Sequence, residues 1–349
     1  MVSSDYKCRY NKDRPMIVDT HAHYAPQSML DALASGAASF PNVELMHDGD
    51  TYKLGFAGGA LTRPVNPKLR RAEPRQEWMA EQGIDAQVNG GWLDSFGYEL
   101  PVDEGLAWSR FLNEHLIKGA RAAGNLTPLA SVPLQDGEKA ARLLEELMDG
   151  GLTGVMIGTQ PFGDSGVLDG PALDPFWSVA SAREAVVFIH PMYGCGDIRL
   201  NDYDMINAVG RGLDTTTAVA RMLFAGHFTK YPGMSVVLPH GGGALPWMLG
   251  RLMRNVEIHP GQYGDPMEGF RQIYFDTVVF DPDALNFLIA KAGANKVMLG
   301  SDYPFPIGDN TPCEIVGKAG LSEIDTTAIL GGTAAKLFRL DGSCGGAHG

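Results

Sequence analysis

An eight-stranded (β/α)₈ barrel of the TIM type, with a long insertion after the first strand, is the α/β fold this sequence predicts, and three observations carry it. Eight short apolar runs rich in β-branched residues recur along the chain. Amphipathic segments separate them, the alternation that βαβ units and a parallel sheet require. Histidines and an aspartate stand at the C-terminal ends of several runs, and in a parallel barrel all such ends open on the face where active sites sit. A length of 349 residues suits this reading, since one barrel with insertions takes about 250 to over 400.

The first run, MIVDTHAH (16 to 23), closes on two histidines. From about Ala25 to Pro74 five prolines and many glycines break any periodicity, so this stretch is expected to be an excursion over the barrel mouth that carries substrate contacts. IDAQVNGG (84 to 91) and LTPLASVPL (126 to 134) supply the second and third strands. EKAARLLEELMDGG follows with helical spacing and a Gly-Gly stop, as a crossover helix should. GVMIGT (154 to 159) and AVVFIHP (185 to 191) are the fourth and fifth runs, and DTTTAVARMLF after them opens on residues suited to cap a helix. MSVVLPH (234 to 240), QIYFDTVV (272 to 279) and KVMLGSDYP (296 to 304) complete the set. One domain over residues 1 to 340 is expected, followed by a flexible Gly-rich tail from 341 to 349.

Composition narrows the function classes. A hydrophobic fraction of 44% with 20% charged residues is ordinary globular usage. The formal charge is −13 and no basic run gathers into a phosphate-neutralising patch, which argues against nucleic acid as a partner. An acidic protein that binds an anionic substrate must do so locally, through a metal or a few placed arginines. Cys8, Cys195, Cys313 and Cys344 form no CxxC pair, which suits reduced thiols in a cytoplasmic enzyme. No apolar run approaches the roughly 20 residues of a membrane span, and the N-terminus shows no secretory signal, so a soluble protein is expected.

The chemistry concentrates at the strand ends. Side chains on a strand alternate with period two, so His21 and His23 face one side and are placed to chelate one ion. Two hydrogen-bonded histidines at a strand end are the bland alternative. Asp19 faces the same way and is expected to orient a ligand ring through its second nitrogen. His190 closes the fifth run and Asp302 the eighth. Three imidazoles and one carboxylate suit Zn²⁺, with Mn²⁺ or Co²⁺ as replacements, and leave a position for water. His240, followed by three glycines, is assigned proton transfer beside such a water, a structural histidine being the alternative. His47, His115, His227 and His259 read as surface or packing residues, and His348 in the tail is discounted. The HGGG at 240 to 243 would suggest an esterase loop, but no G-x-S-x-G elbow follows it.

With these residues in view, the chain resembles the amidohydrolase-related metal-dependent decarboxylase family, of the α-amino-β-carboxymuconate-ε-semialdehyde decarboxylase type, nearly end to end. The resemblance rests on VDTHAHYAP, GVMIGT, VFIHP, FTKYPGMSVVLPHGGGALPWMLGR, FDTVVFDPDALNFL and VMLGSDYPFPIG. It implies that His21, His23, His190 and Asp302 bind one metal ion and that His240, with Asp302, handles the proton. It further implies a homodimer in which Arg251 enters the neighbouring subunit's site to grip a substrate carboxylate. A second arginine in cis comes from the excursion, Arg63 being chosen over Arg70 and Arg71, and Phe305 lines the pocket. Two-metal amidohydrolases use a carbamylated lysine on the fourth strand; Met156 and its neighbours offer none, which implies a single metal. The segment from 192 to 213 lacks the family prototype's tryptophan, and GTQPFG differs too, which points to another carboxylated substrate. Benzoate-type members often carry Glu at the first position of His-x-His, so His21 favours the semialdehyde branch.

The leading expectation is therefore nonoxidative decarboxylation of an unsaturated or aromatic acid, with no organic cofactor. The rival is hydrolysis or hydration of a carboxylated lactone, amide or enone by the same metal site. A binding scaffold that has lost the chemistry is the non-enzymatic alternative.

Overall fold

The computed structural model describes residues 15–162, 166–192 and 196–340. The tail from 341 and three cysteines, Cys8, Cys195 and Cys344, lie outside them. Among the described residues ten strands form: β1 (Val18–His23), β2 (Val43–Asp48), β3 (Thr51–Phe56), β4 (Ala86–Gly90), β5 (Leu126–Leu129), β6 (Gly154–Gly158), β7 (Val186–His190), β8 (Ser235–Leu238), β9 (Ile273–Asp276) and β10 (Val297–Met298).

Eight of these are the apolar runs, and they pair in parallel as β1-β4-β5 and β10-β9-β8-β7-β6. Two parallel bridges, Ala130 with Val155 and Ala22 with Tyr303, join the two sheets at both edges and close the barrel. Backbone bonds reinforce each seam, Met156 N to Ala130 O and His23 N to Tyr303 O, both 2.8 Å. β1, β4, β6 and β7 are buried along their whole length, because a barrel strand faces side chains within and helices without. That double burial is why β6 and most of β7 read as continuously apolar rather than alternating, while β1 and β4 bury the polar residues Asp19, His21, Gln87 and Asn89.

The helix over EKAARLLEELMDGG runs Gly137–Asp149. Asp136 caps it by accepting the Lys139 amide at 2.9 Å, worth about 1 kcal/mol, and Leu143, Leu144 and Leu147 face the core. The helix over DTTTAVARMLF starts earlier than its capping residues suggest. It spans Arg211–Phe224 and continues a π-type turn at Ile206–Gly210. Asp214 is therefore no cap: buried one turn inside, it accepts from Thr159 Oγ1 at 2.6 Å, Gln160 Nε2 at 3.0 Å and Met192 N at 3.0 Å. These bonds lash the helix to the exits of β6 and β7, a tertiary demand that outweighs local capping preference.

The excursion after β1 is more structured than its prolines and glycines imply. It holds the helix Gln27–Ala34 and the antiparallel hairpin β2-β3, turned at Gly49 and Asp50. A Gly-Asp pair between strands is a hairpin signal, but β2, in which no residue is buried, dilutes the apolar pattern. Met29, Leu30, Leu54 and Leu69 form with Trp92 and Trp108 a second apolar cluster beside the barrel core. Among the described residues no helix is long and apolar enough to cross a membrane.

Candidate metal centre and pocket

His21, His23, His190 and Asp302 converge at the C-terminal rim, each offering one ligand atom, all four within 4.8 Å of one another. Nε2 of each histidine and Oδ1 of Asp302 are buried without a hydrogen-bond partner. The opposite nitrogens are all engaged: His21 Nδ1 with Asp276 Oδ2 at 2.7 Å, His23 Nδ1 with Gly91 O at 3.0 Å and His190 Nδ1 with Pro191 O at 2.7 Å. Carbonyls and carboxylates accept only, so each Nδ1 carries the hydrogen and each Nε2 presents a lone pair. His21 Nε2 and His23 Nε2 lie 3.4 and 3.2 Å from Asp302 Oδ1. Lone pairs aimed at one another in a dry pocket repel unless a cation lies between them. The donor set fits one divalent ion of borderline softness.

Protonation follows the same logic. Burial and the neighbouring imidazoles hold His190 well below the usual histidine range, and burial lowers His23, so both are neutral ligands. Burial opposes charge on Asp302 too, but the surrounding histidines override it and keep the carboxylate ionised. His21 is pulled down by burial and, more strongly, up by Asp302 and Asp276. Positive charge is favoured at that point, and a divalent ion would supply it.

The local chain explains the convergence. The register of β1 against β4 shifts between Asp19 and Ala22, an irregularity of the kind that re-aims side chains next to active sites. His240 and Asp302 both adopt positive φ, 55° and 60°, a costly conformation for residues with a Cβ. Gly241, Gly242 and Gly243 continue the left-handed path at φ 60°, 78° and 62°, which glycine alone adopts freely. Gly300 has a similar purpose: an added Cβ would lie 2.8 Å from Asp276 Cβ and 3.1 Å from His21 Cβ, wedging apart the pair that orients His21.

Asp276, not Asp19, is that orienting carboxylate. Asp19 accepts from the His21 amide at 3.1 Å, Gln87 Nε2 at 2.7 Å and Ser301 N and Oγ at 3.0 and 2.5 Å, and touches no ligand ring. Burial raises its pKa to about 6 despite these bonds. It ties the first strand to the last across the barrel seam. Asp276, at the end of the seventh barrel strand, accepts from the His21 ring and from Gly241 N at 2.8 Å. Its signal was available, a carboxylate closing an apolar run, but five barrel strands separate it from His21 in sequence. Arg75 was also missed: it donates to His23 O at 2.5 Å and Gln87 Oε1 at 2.6 Å, and burial lowers its pKa to about 10.

His240 Nε2 lies 3.4 Å from Asp302 Oδ2, with its side chain 21% exposed toward the cavity. That cavity, of about 250 Å³, is lined by His23, Arg63, Asp94, His190, Arg211, His240, Asp302 and Phe305 among others. A second of about 580 Å³ shares Asn207, Arg211, His240 and Asp302 with it. Arg63 pairs with Asp94 at 3.2 Å and is 58% exposed. Arg70 is buried in the excursion, spent on Gln27 and Asp50, and Arg71 lies exposed beside the same Asp50. Phe305 stands 5.1 Å from the His23 ring. Arg251 is exposed on the helix Leu245–Ile258 and lines neither cavity. Met156 is buried in β6, and among the described residues one metal-holding group is present. Of the background histidines, His47 stacks on Tyr52, His115 bonds Ser28 and His227 packs against Trp177.

A parallel eight-stranded barrel with three imidazoles and a carboxylate at its rim defines a class, and comparison places the chain within it. The amidohydrolase family profile matches residues 18–340, so the chain belongs to the amidohydrolase family. Among its relatives is the 2-amino-3-carboxymuconate-6-semialdehyde decarboxylase of Dictyostelium discoideum, 28% identical over 94% of this chain and 93% of that protein. The 6-methylsalicylic acid decarboxylase of Penicillium expansum is 31% identical over 82% of this chain and 84% of its own length. A dihydroxybenzoic acid decarboxylase from Polaromonas, solved with bound manganese and 2-nitroresorcinol, superposes with a TM-score of 0.77 at 21% identity, covering 94% of this chain and 98% of that one.

Proposed function

We propose that this chain is a metal-dependent nonoxidative decarboxylase of an aromatic or unsaturated carboxylic acid, with Zn²⁺ as its ion and Mn²⁺ or Co²⁺ as functional substitutes. The observation that carries it is the facing set of unpartnered ligand atoms beside His240, at the floor of a cavity walled by arginine and phenylalanine. The named relatives, decarboxylases matched over most of the chain, support the reaction class.

His21, His23, His190 and Asp302 would hold the ion, which when bound polarises a substrate oxygen and acidifies water. Arg63 and Phe305 bind and orient the acid. His240, beside the Asp302 carboxylate, moves the proton to the carbon that bears the departing carboxylate. That protonation makes the carbon tetrahedral and the conjugated system an electron sink. The bond to the carboxylate then breaks, its electron pair restores the double bond, and CO₂ leaves. The carboxylate plus one proton becomes the decarboxylated product, with hydrogen where the carboxylate stood, plus CO₂, with no redox change and no organic cofactor. A homodimer that brings Arg251 into the partner's cavity would supply a further guanidinium; its exposure on a helix that also presents Trp247, 77% exposed, supports that placement.

The test incubates metal-loaded protein with 6-methylsalicylate, 2,6-dihydroxybenzoate and related acids and follows CO₂ and product mass together. Release of CO₂ with loss of the carboxyl group is expected. A product that keeps its carboxylate, hydrated or ring-opened, would overturn the proposal in favour of hydrolysis or hydration.

A further inference from the structure

Arg211 is a residue that sequence reading passed over, at the first position of the helix Arg211–Phe224 and in the wall of both cavities. Its guanidinium is fixed by three bonds: Nε to Asn207 Oδ1 at 2.9 Å, and Nη1 to Met192 O at 2.9 Å and Pro191 O at 3.3 Å. Pro191 O is the same carbonyl that receives Nδ1–H of the ligand His190. Three residues on, Asp214 accepts the Met192 amide, so one helical turn grips both sides of the β7 exit. Among the described residues no hydrogen bond engages Nη2, and that end of the fork is left for a ligand in the cavity.

The charges around it set the ligand's sign. Arg63 and Asp94 act on Arg211 through space, as does Asp302. The first cavity is lined by Arg63 and Arg211 against Asp94, Asp204 and Asp302, and a divalent ion at the rim tips this balance to positive. A preorganised guanidinium whose Nη2 end alone is open in such a wall donates charge-assisted hydrogen bonds to an anionic oxygen. The departing carboxylate is a poor candidate for it, because a group held equally in the ground state and lost as neutral CO₂ gains little from a fixed cation at the transition state. A group that keeps its charge throughout the reaction gains from it fully.

We propose that Arg211, through its open Nη2 end, is the residue that binds a second acidic group of the substrate, a carboxylate or phenolate that persists through the reaction. This rests on the decarboxylase reading of the same site and narrows it. Arg211 is thereby a substrate-binding residue that also holds the carbonyl orienting His190.

The test is calorimetric binding of benzoate and benzene-1,3-dicarboxylate to the manganese-loaded full chain, with metal content measured on every sample. Wild type is expected to prefer the dicarboxylate by about tenfold or more, roughly the scale of one charge-assisted contact. Arg211→Gln should reduce that preference to within about twofold with metal content unchanged, Arg211→Lys should retain part of it, and Arg63→Gln should leave most of it. No preference in wild type, an undiminished preference in Arg211→Gln, or loss of the preference in Arg63→Gln alone would overturn the proposal. Loss of metal from both Arg211 variants would overturn it too, assigning Arg211 to the scaffold of His190. These outcomes leave the reaction class standing, which falls instead if no acid releases CO₂.

Discussion

The Asp276 carboxylate joins the His21 ring to the backbone beside His240: Oδ2 meets His21 Nδ1 at 2.7 Å while Oδ1 accepts the Gly241 amide at 2.8 Å. One side chain thus orients a residue of the candidate metal site and holds the turn that presents His240.

Asp276→Asn should accordingly damage both. An amide nitrogen facing His21 Nδ1 favours the other tautomer and puts a hydrogen on Nε2. Metal affinity should fall about 10- to 100-fold, read by titration against a chelator. Unchanged affinity would show that His21 does not depend on this partner.

His240→Ala should keep its metal and lose activity. The ring is not among the four converging ligands, so metal content should match wild type while kcat drops by about 10²- to 10⁴-fold, the usual contribution of a positioned acid or base. A variant with wild-type kcat would remove His240 from the chemistry.

Chelation should lower the melting temperature, and added metal should restore it, because ion binding favours the fold by about 2.7 kcal/mol at a hundredfold excess over Kd. Asp302→Asn offers the converse. Its amide can donate to an imidazole lone pair and relieve the facing acceptors, so the metal-free variant should melt no lower than metal-free wild type and gain nothing from added Mn²⁺. Calorimetric scans with and without metal decide both points.

The two excursion arginines should separate cleanly. Arg70 is fully buried and bonds Gln27 and both the side chain and backbone of Asp50, so Arg70→Ala should cost about 2 kcal/mol or more in stability. Arg63 forms an open pair with Asp94, worth at most about 1 kcal/mol; Arg63→Ala should instead raise KM at nearly unchanged stability. Urea unfolding and steady-state kinetics on both proteins would expose a reversal of these roles.

If Arg251 acts across a dimer, mixing inactive Arg251→Ala and inactive Asp302→Ala protomers should restore partial activity through hybrid sites. Failure to recover any activity, with subunit exchange verified by mass, would place Arg251 outside the site.

Much of the barrel was legible along the chain because strand burial on two faces writes several strands, β6 and β7 most plainly, as apolar runs, and because parallel strands send every run's last residues to one rim. His21, His23, His190, His240 and Asp302 therefore stand out in the sequence as residues of that rim. The sequence by itself determined which residues reach the rim. Which of them touch was decided by tertiary structure. Asp19 and Asp276 both sit on barrel strands, yet the stagger of the strands and the irregularity in β1 put Asp276 against the His21 ring and turn Asp19 to Ser301 and Gln87. Arg211 reaches the cavity because Asp214 pins its helix to two strand exits, and Arg70 misses it because its guanidinium is used within the excursion. Periodicity sets direction within one element; distances between elements depend on how the whole barrel closes, and no local pattern carries that information.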